Sequence, residues 1–180
     1  FFIGTGSGLF RARVERGKLN IVHDEAVESI DTPVHELYYH AISKQLFVGN
    51  YKEGILIYDM GKTGKIIPCQ SLNNVEINRI VTLNAHELLI ATGGKGVYKL
   101  DMNTCISEPY ITADYSSYNG MNGNNINDIY VDEDERIWLA NYPTGITIRN
   151  NRYGSYDLIK HSIGNNLSLV NDQVHDVMED

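Results

Sequence analysis

One stretch of the sequence, residues 126–161, reads INDIYVDEDERIWLANYPTGITIRNNRYGSYDLIKH. Residues 126–132 and 137–141 are rich in β-branched and aromatic side chains, and residues 146–149 alternate apolar with polar side chains. Short stretches of this kind are typical of β-strands. Charged residues, a Pro and several Gly and Asn residues separate them, which predicts tight turns. The stretch therefore predicts four consecutive antiparallel strands, the last of them at residues 155–161.

The same pattern occurs four times along the chain. In each copy an apolar run ends in a small residue and then Thr or Asn, and two or three further residues precede a Gly–aliphatic pair. The pairs are 46, 42 and 49 residues apart: Gly8-Leu9, Gly54-Ile55, Gly96-Val97 and Gly145-Ile146. A second marker has the same period: VHELYYH from Val34, INRIVTL from Ile77, INDIYVD from Ile126 and VHDVMED from Val174. Two independent markers with one spacing indicate an internal repeat.

Four antiparallel strands in each repeat of about 40–50 residues predict an all-β fold, a β-propeller whose sheets form blades. The boundaries that we predict are the last three strands of one blade in 1–25, blades in about 32–71, 75–113 and 124–161, and the first strand of another blade in 174–180. A β-sandwich with accidental similarity is the alternative. The strand at 174–180 either pairs beside residues 1–5 to close a four-bladed ring or belongs to a larger, partly represented propeller. We favour the larger propeller, because an open ring exposes sheet edges.

Composition excludes several classes of function. Lys and Arg number 15 against 23 Asp and Glu, a net charge of −8, and nucleic-acid binding needs a basic face instead. No apolar run approaches a membrane span, and we expect no signal peptide because Phe1 opens on a strand-like segment. The two cysteines, Cys69 and Cys105, occupy non-equivalent positions in their repeats, and we expect them to be buried free thiols.

Neither a cofactor nor a metal ion is expected. The glycine-rich residues 4–9 are followed by a strand pattern instead of the helix that a dinucleotide loop requires. The acidic residues 132–135 lack the Gly and the downstream Glu of a calcium loop, so we interpret them as a hairpin turn. No arrangement of Ser, His and Asp and no pair of carboxylates indicates catalysis, so this segment is not expected to be an enzyme.

The best-formed repeat resembles the two-component regulator propeller repeat. The resemblance rests on Asn124 to Ile129 (NNINDI), Asp132, Ile137 to Asn141 (IWLAN) and Gly145-Ile146, and NNLSLVNDQV from Asn165 is similar to the start of another repeat. It covers essentially the whole chain, although the copies at Val34 and Ile77 are degenerate and lack the tryptophan.

This resemblance implies a piece of a seven-bladed propeller in the periplasmic sensor region of a hybrid histidine kinase. Members of the family commonly sense oligosaccharides, which implies a small-molecule or oligosaccharide ligand, a homodimer formed through the parent receptor, and phosphotransfer elsewhere in that parent. Two alternatives remain open: a propeller that mediates dimer contacts without binding a ligand, and a propeller enzyme that acts on carbohydrates.

Topology indicates where a ligand could bind. In a four-stranded meander the turn between the second and third strands and the linker to the next sheet lie on one face. Two such turns and the long linker at 115–125 are rich in Tyr, Asn and Gly, a composition suited to stacking on sugars and bridging hydroxyl groups. The candidate ligand residues on this face are Asn50, Tyr51, Asn141, Tyr142, Tyr115 and Tyr118. The alternative is that these residues only build the turns.

Charged residues occupy the third position of each first strand. They are Glu36, Arg79, Asp128 and Asp176, of which the first three are also candidate ligand residues. First strands line the channel of a propeller, so a ring of charge there could hold a polar ligand. Salt bridges and hydrogen bonds between neighbouring strands are the alternative that we favour.

Overall fold

The computed structural model describes residues 1–61, 63–69, 71–113, 120–121 and 123–179, with only the backbone of Pro68. In these residues the chain is all-β, a partial β-propeller, as the sequence predicts. It divides into two compact units, Phe1–Ile77 and Asn78–Asp180, called unit one and unit two below. No helix among the described residues is long and apolar enough to cross a lipid bilayer.

Unit one contains a three-stranded and a four-stranded antiparallel sheet, and each sheet joins strands that are consecutive in sequence. A four-residue helix, α1 (Glu25–Glu28), lies in the linker between the sheets, and Asp24 caps it by accepting a hydrogen bond from Val27 N. The strands are β1 Phe2–Thr5, β2 Gly8–Glu15, β3 Lys18–Val22, β4 Val34–His40, β5 Gln45–Asn50, β6 Gly54–Asp59 and β7 Ile66–Pro68. Aliphatic residues of both sheets and of the α1 linker form one buried core, which includes Leu9, Ile30 and Val48.

Unit two contains two four-stranded antiparallel sheets, again with strands in sequence order. Their strands are β8 Ile77–Thr82, whose first residue closes unit one, β9 Glu87–Thr92, β10 Gly96–Asp101, β11 Ile106–Ile111, β12 Ile126–Val131, β13 Arg136–Asn141, β14 Gly145–Asn150 and β15 Ser155–Ile159. The sheets pack through a fully buried cluster that includes Leu89, Val97, Ile126 and Leu139. Residues 174–179, the described part of the strand predicted at 174–180, form no β-ladder. The predicted boundaries of the blades stay predictions.

The repeated glycine begins the third strand of each four-stranded sheet because the chain passes very close to it there. Gly96 has a φ of +80°, and a Cβ added to it would lie 2.5 Å from the backbone oxygen of Ile111. Gly145 has a φ of +90° and meets the backbone oxygen of Ile159 in the same way. Glycine is required here both for its left-handed backbone and for its lack of a side chain.

Asp132 organises the turn between β12 and β13. Its Oδ1 accepts hydrogen bonds from Asp134 N (3.0 Å) and Arg136 N (2.9 Å). Its Oδ2 accepts from Arg136 Nε (2.7 Å) and from Trp138 Nε1 (2.8 Å). Burial alone would raise the pKa of this carboxyl group, but these bonds outweigh burial and lower the pKa.

The expectation of free thiols is wrong. Cys69 and Cys105 are both disulfide-bonded, and the chain has no free cysteine. The disulfide-bonded state could not be predicted from the positions of the cysteines in the sequence, because a disulfide requires two cysteines to be close together in the fold.

We therefore expect the purified chain to show no reactive thiol with Ellman's reagent, even after unfolding in guanidinium chloride. After reduction, the same assay should detect both cysteines of the chain. Detection of thiols in the unreduced, unfolded chain would contradict the disulfide-bonded state.

Candidate functional site

In unit one the turn between β5 and β6 lies against the linkers that flank its sheet. Asn50 Nδ2 donates to the hydroxyl oxygen of Thr32, in the linker before β4. Asn74 N donates to Lys52 O (3.3 Å), which brings the linker after β7 to the same turn. We call this surface, formed by residues 28–33, 50–54 and 71–74, the turn face of unit one.

Asn50 holds this turn together. It is fully buried, and its Oδ1 accepts hydrogen bonds from Lys52 N (2.9 Å) and Glu53 N (3.1 Å). Together with the bond to Thr32, these contacts use both ends of the amide. The described geometry therefore gives Asn50 a structural role, and it leaves no free polar atom on Asn50 for a ligand.

We expect Asn50→Ala to lower the free energy of unfolding by about 2 kcal/mol, because it leaves two backbone N–H groups and the Thr32 hydroxyl group without their partner. Tyr51→Ala is the matched control, since Tyr51 is the next residue in the same turn and is 52% exposed. Denaturant unfolding of the two variants provides the measurement. Equal effects of the two substitutions would argue against this role of Asn50.

Asn141 has the equivalent position in unit two but a different set of contacts. Its Nδ2 donates to Gly123 O (3.1 Å), whereas its buried Oδ1 has no partner among the described residues. The residue two positions later is Pro143, which has no N–H to donate. Thr144 N, three positions later, donates instead to the backbone oxygen of Asn141 (3.1 Å).

A cavity of about 370 Å³ opens in unit one beside Lys52 and Glu53, in the turn between β5 and β6. We call it the turn-face cavity. Apolar and polar side chains are mixed in its wall: Ser29, Ile30, Lys52, Glu53, Leu56, Ile66 and Asn73. Its volume lies within the range of about 300–1,000 Å³ that is usual for small-molecule sites. The cavity lies between the α1 linker and the sheet β4–β7, so its existence depends on tertiary packing.

The remaining residues predicted for the turn face have varied placements. Tyr115 and Tyr118 lie outside the described residues. Tyr142 is half-buried in unit two, where its ring lies 6.1 Å from the ring of His175 at an angle of 42°. Tyr142 N donates to Asn125 O (3.0 Å), so in unit two, as in unit one, the turn and the linker adjoin.

Three charged residues meet in unit two at the third position of the predicted first strands. Arg79 Nε lies 3.1 Å from Asp128 Oδ1. Val177 N donates to Asp128 Oδ2 (3.0 Å) and also to Asp176 Oδ1 (2.8 Å). Arg79 and Asp128 thus make contacts between neighbouring segments, the alternative that we favoured over ligand binding. A role of these residues in ligand binding stays a prediction. Glu36, in unit one, is half-buried on β4 and also makes a polar interaction.

Burial, followed by the hydrogen bond with Asp176, raises the pKa of Asp128 to about 6. The Val177 N–H and the charge of Arg79 act in the opposite direction but offset only part of this effect. The hydrogen bond with Asp128 and the Val177 N–H lower the pKa of Asp176. Below about pH 6, the proton that the pair shares is therefore held mainly by Asp128.

A repeated asparagine places residues 174–179 beside β12. Asn127 Nδ2 donates to Val174 O (2.9 Å), and Asn78 Nδ2 donates in the same way to Ile126 O (2.8 Å). The segment at 174–179 thus contacts β12 through the equivalent atoms that β12 uses to contact β8. Asn78 and Asn127 are each the second residue of their strand, so their equivalence could be seen in the sequence.

Solved structures with the same fold come from bacterial extracellular proteins. The extracellular domain of BT4673 from B. thetaiotaomicron, described as a one-component or hybrid two-component system, matches 99% of the chain with a TM-score of 0.76 and 17% identity. The extracellular domain of the hybrid two-component system BT3049 from B. thetaiotaomicron matches 99% with a TM-score of 0.58 and 19% identity. PorZ, a surface component of the type-IX secretion system of Porphyromonas gingivalis, matches 88% with a TM-score of 0.56 and 16% identity.

The chain spans 23%, 29% and 21% of the length of these three structures, respectively. No protein-family model matches the chain, and no curated protein matches its sequence. At these identities the similarity shows a common fold. The resemblance seen in the sequence is thus confirmed at the level of the fold, which this chain shares with the extracellular domains of two-component receptors.

Proposed function

We propose that this chain is part of the periplasmic sensor propeller of a two-component receptor and that it binds an oligosaccharide in the turn-face cavity. The repeat pattern, the resemblance to the regulator propeller repeat and the fold of receptor domains support the sensor assignment. The disulfide-bonded cysteines support the location, because disulfides persist in oxidising compartments such as the periplasm. The segment itself is non-catalytic, and a histidine kinase elsewhere in the parent receptor receives the signal.

The turn-face cavity is the observation that carries the ligand assignment. Tyr51, which precedes the lining residue Lys52 in the same turn, is half exposed, and an aromatic face can stack on the C–H groups of a sugar. Lys52, Glu53, Ser29 and Asn73 supply donors and acceptors that suit neighbouring hydroxyl groups.

Signalling requires that the ligand distinguish two states of the receptor. A ligand that binds both arrangements of a receptor dimer equally well shifts nothing, whatever its affinity. The turn-face cavity is formed by a turn and two linkers, so a bound oligosaccharide connects segments whose spacing can differ between states. We assign to this site the stabilisation of one of these spacings between the turn and the linkers, and thereby of one state of the receptor.

Thermal unfolding of the chain with an oligosaccharide library tests the proposal. A ligand at 100 times its Kd adds about 2.7 kcal/mol to stability, which raises Tm by several degrees. For a ligand found in this way, Tyr51→Ala or Lys52→Ala should weaken binding at least about tenfold, equivalent to about 1.4 kcal/mol.

Tyr39→Ala is the matched control, because Tyr39 is 49% exposed in unit one but pairs with Leu46, at the end of β5 away from the turn between β5 and β6. Unchanged affinity in both Tyr51→Ala and Lys52→Ala would refute our placement of the ligand. No shift with any oligosaccharide would favour a propeller that only mediates protein contacts, and formation of new products would favour a carbohydrate-active enzyme.

A further inference from the structure

Two carboxylate groups from separate segments of unit two share a single hydrogen-bond donor. Asp128 lies on β12, and Asp176 lies on the segment at 174–179. Val177 N is 3.0 Å from an oxygen of the first and 2.8 Å from an oxygen of the second. A single N–H group cannot compensate two ionised carboxylates. The arrangement is therefore favourable only when one of the two carboxyl groups is protonated.

Among the described residues, one positive charge lies beside the two carboxylates. β8 contributes Arg79, whose guanidinium is 49% exposed and therefore partly screened by solvent. β12 contributes the neutral Asn127, and the strand next to it, β13, places Ala140 opposite Asp128. With both carboxylates ionised, the cluster has a net charge of −1.

The segment that bears Asp176 contributes two more titratable groups. Glu179 accepts a hydrogen bond from Tyr130 OH at the far end of the segment. His175 is exposed and packs against Tyr142. Neither is among the groups that hydrogen-bond to Asp128, so His175, the exposed histidine of this segment, serves as a control.

We propose that a proton shared by Asp128 and Asp176 controls how firmly residues 174–179 dock onto β12. With Asp128 protonated, its O–H donates to Asp176 and the Val177 N–H completes the pair. With both groups ionised, they repel each other across the same N–H, and the hydrogen bonds to Val174 and Val177 weaken. This protonation-dependent contact lies within unit two, so it is independent of the oligosaccharide site proposed above in unit one.

The direction of the pH effect follows from linkage. Docking holds the pKa of Asp128 at about 6, above its ordinary value of 3.8, so the docked form binds more protons between these two values. Docking is therefore strongest in acid and weakens as pH rises through about 6. The lowered pKa of Asp176 acts in the opposite sense and reduces the size of the effect.

Hydrogen exchange of the intact chain, followed by mass spectrometry at about pH 5 and about pH 7.5, tests this inference. After correction for intrinsic exchange rates, we expect protection of residues 174–179 to fall about tenfold at the higher pH. Asp128→Asn should remain protected at both pH values, because Asn is neutral and still accepts hydrogen bonds. His175→Gln should keep the behaviour of the original chain.

Equal protection of the original chain at both pH values would overturn the proposal, and so would an Asp128→Asn variant that keeps the full pH dependence. Asp176→Asn provides a second test if Asp128→Asn fails to fold, since removal of either carboxylate abolishes the repulsion. A pH dependence that disappears in His175→Gln would assign the effect to the histidine instead and would also reject the carboxylate pair.

Discussion

Replacement of Gly96 by Ala is expected to lower the free energy of unfolding by about 3–5 kcal/mol. Two costs add at this position. The backbone φ of +80° is unfavourable for a residue with a side chain, at about 1–2 kcal/mol. The new Cβ would also lie 2.5 Å from the backbone oxygen of Ile111 at the end of β11, so the third or the fourth strand has to move, which costs about another 1–3 kcal/mol.

Gly94→Ala is the matched control in the same turn. Gly94 has a φ of +106°, but a Cβ there would meet nothing within 4 Å. This variant should therefore lose only the backbone contribution of about 1–2 kcal/mol. Denaturant unfolding of both variants isolates the close approach as the difference between them. Equal destabilisation would mean that backbone conformation alone explains the repeated glycine.

Replacement of Asp132 by Ala is expected to lower the free energy of unfolding by about 3 kcal/mol. The substitution leaves Trp138 Nε1, Arg136 Nε and two backbone N–H groups without their acceptor. Hydrogen bonds to a charged group contribute about 1.5–3 kcal/mol each, although solvent can replace those to the exposed part of Arg136. Asp134→Ala is the control: Asp134 is 77% exposed, and its salt bridge with Arg136 spans 3.3 Å. It should change stability by less than about 1 kcal/mol.

The Asp132 effect also has a predicted pH dependence. Because folding lowers the pKa of this carboxyl group below its ordinary value of 3.8, its stabilising contribution is present above that value and is lost as pH falls below it. The stability difference between the original chain and Asp132→Ala should therefore shrink in acid. A difference that stays constant from neutral pH to about pH 2 would show that lost packing, and not the ionised carboxylate, accounts for the effect.

The fold could be predicted because its main determinants are local and repeated. The strands predicted in residues 126–161 begin and end within two residues of β12 to β15, and the charged and glycine-rich intervals between them are the turns. The glycine at the start of each third strand marks a place where only glycine fits, so its period is the period of the sheets. Signals of this kind need no knowledge of distant contacts.

The candidate site could be predicted only in part, since it depends on which segments meet. The sequence drew attention to Tyr51, whose neighbour in the chain, Lys52, lines the turn-face cavity. It gave no reason to select Ser29 or Asn73, which reach that cavity from linkers separated from the turn by many residues. Asn50 was selected for its chemistry, whereas its burial and its contact with Thr32 could be known only from the structure.

The two turns that look alike in sequence differ for a reason that the sequence does contain. Asn50 and Asn141 both end a second strand and both precede a tyrosine. Only the first turn has an N–H two positions later, since Pro143 removes it from the second turn. This proline explains why the Oδ1 of Asn141 has no partner among the residues that the structure describes, and the burial of Asn141 gives that lack its energetic importance.

The sequential order of strands within every sheet has a consequence for how such a chain folds and lengthens. Each sheet forms from one continuous segment, so the hydrogen bonds within it join residues that are near neighbours along the polypeptide. Short loops close quickly and at small entropic cost, which allows separate sheets to nucleate independently. Duplication of one such segment would add a complete sheet without changing the connectivity of any other, a route by which proteins of this architecture could gain length in whole modules.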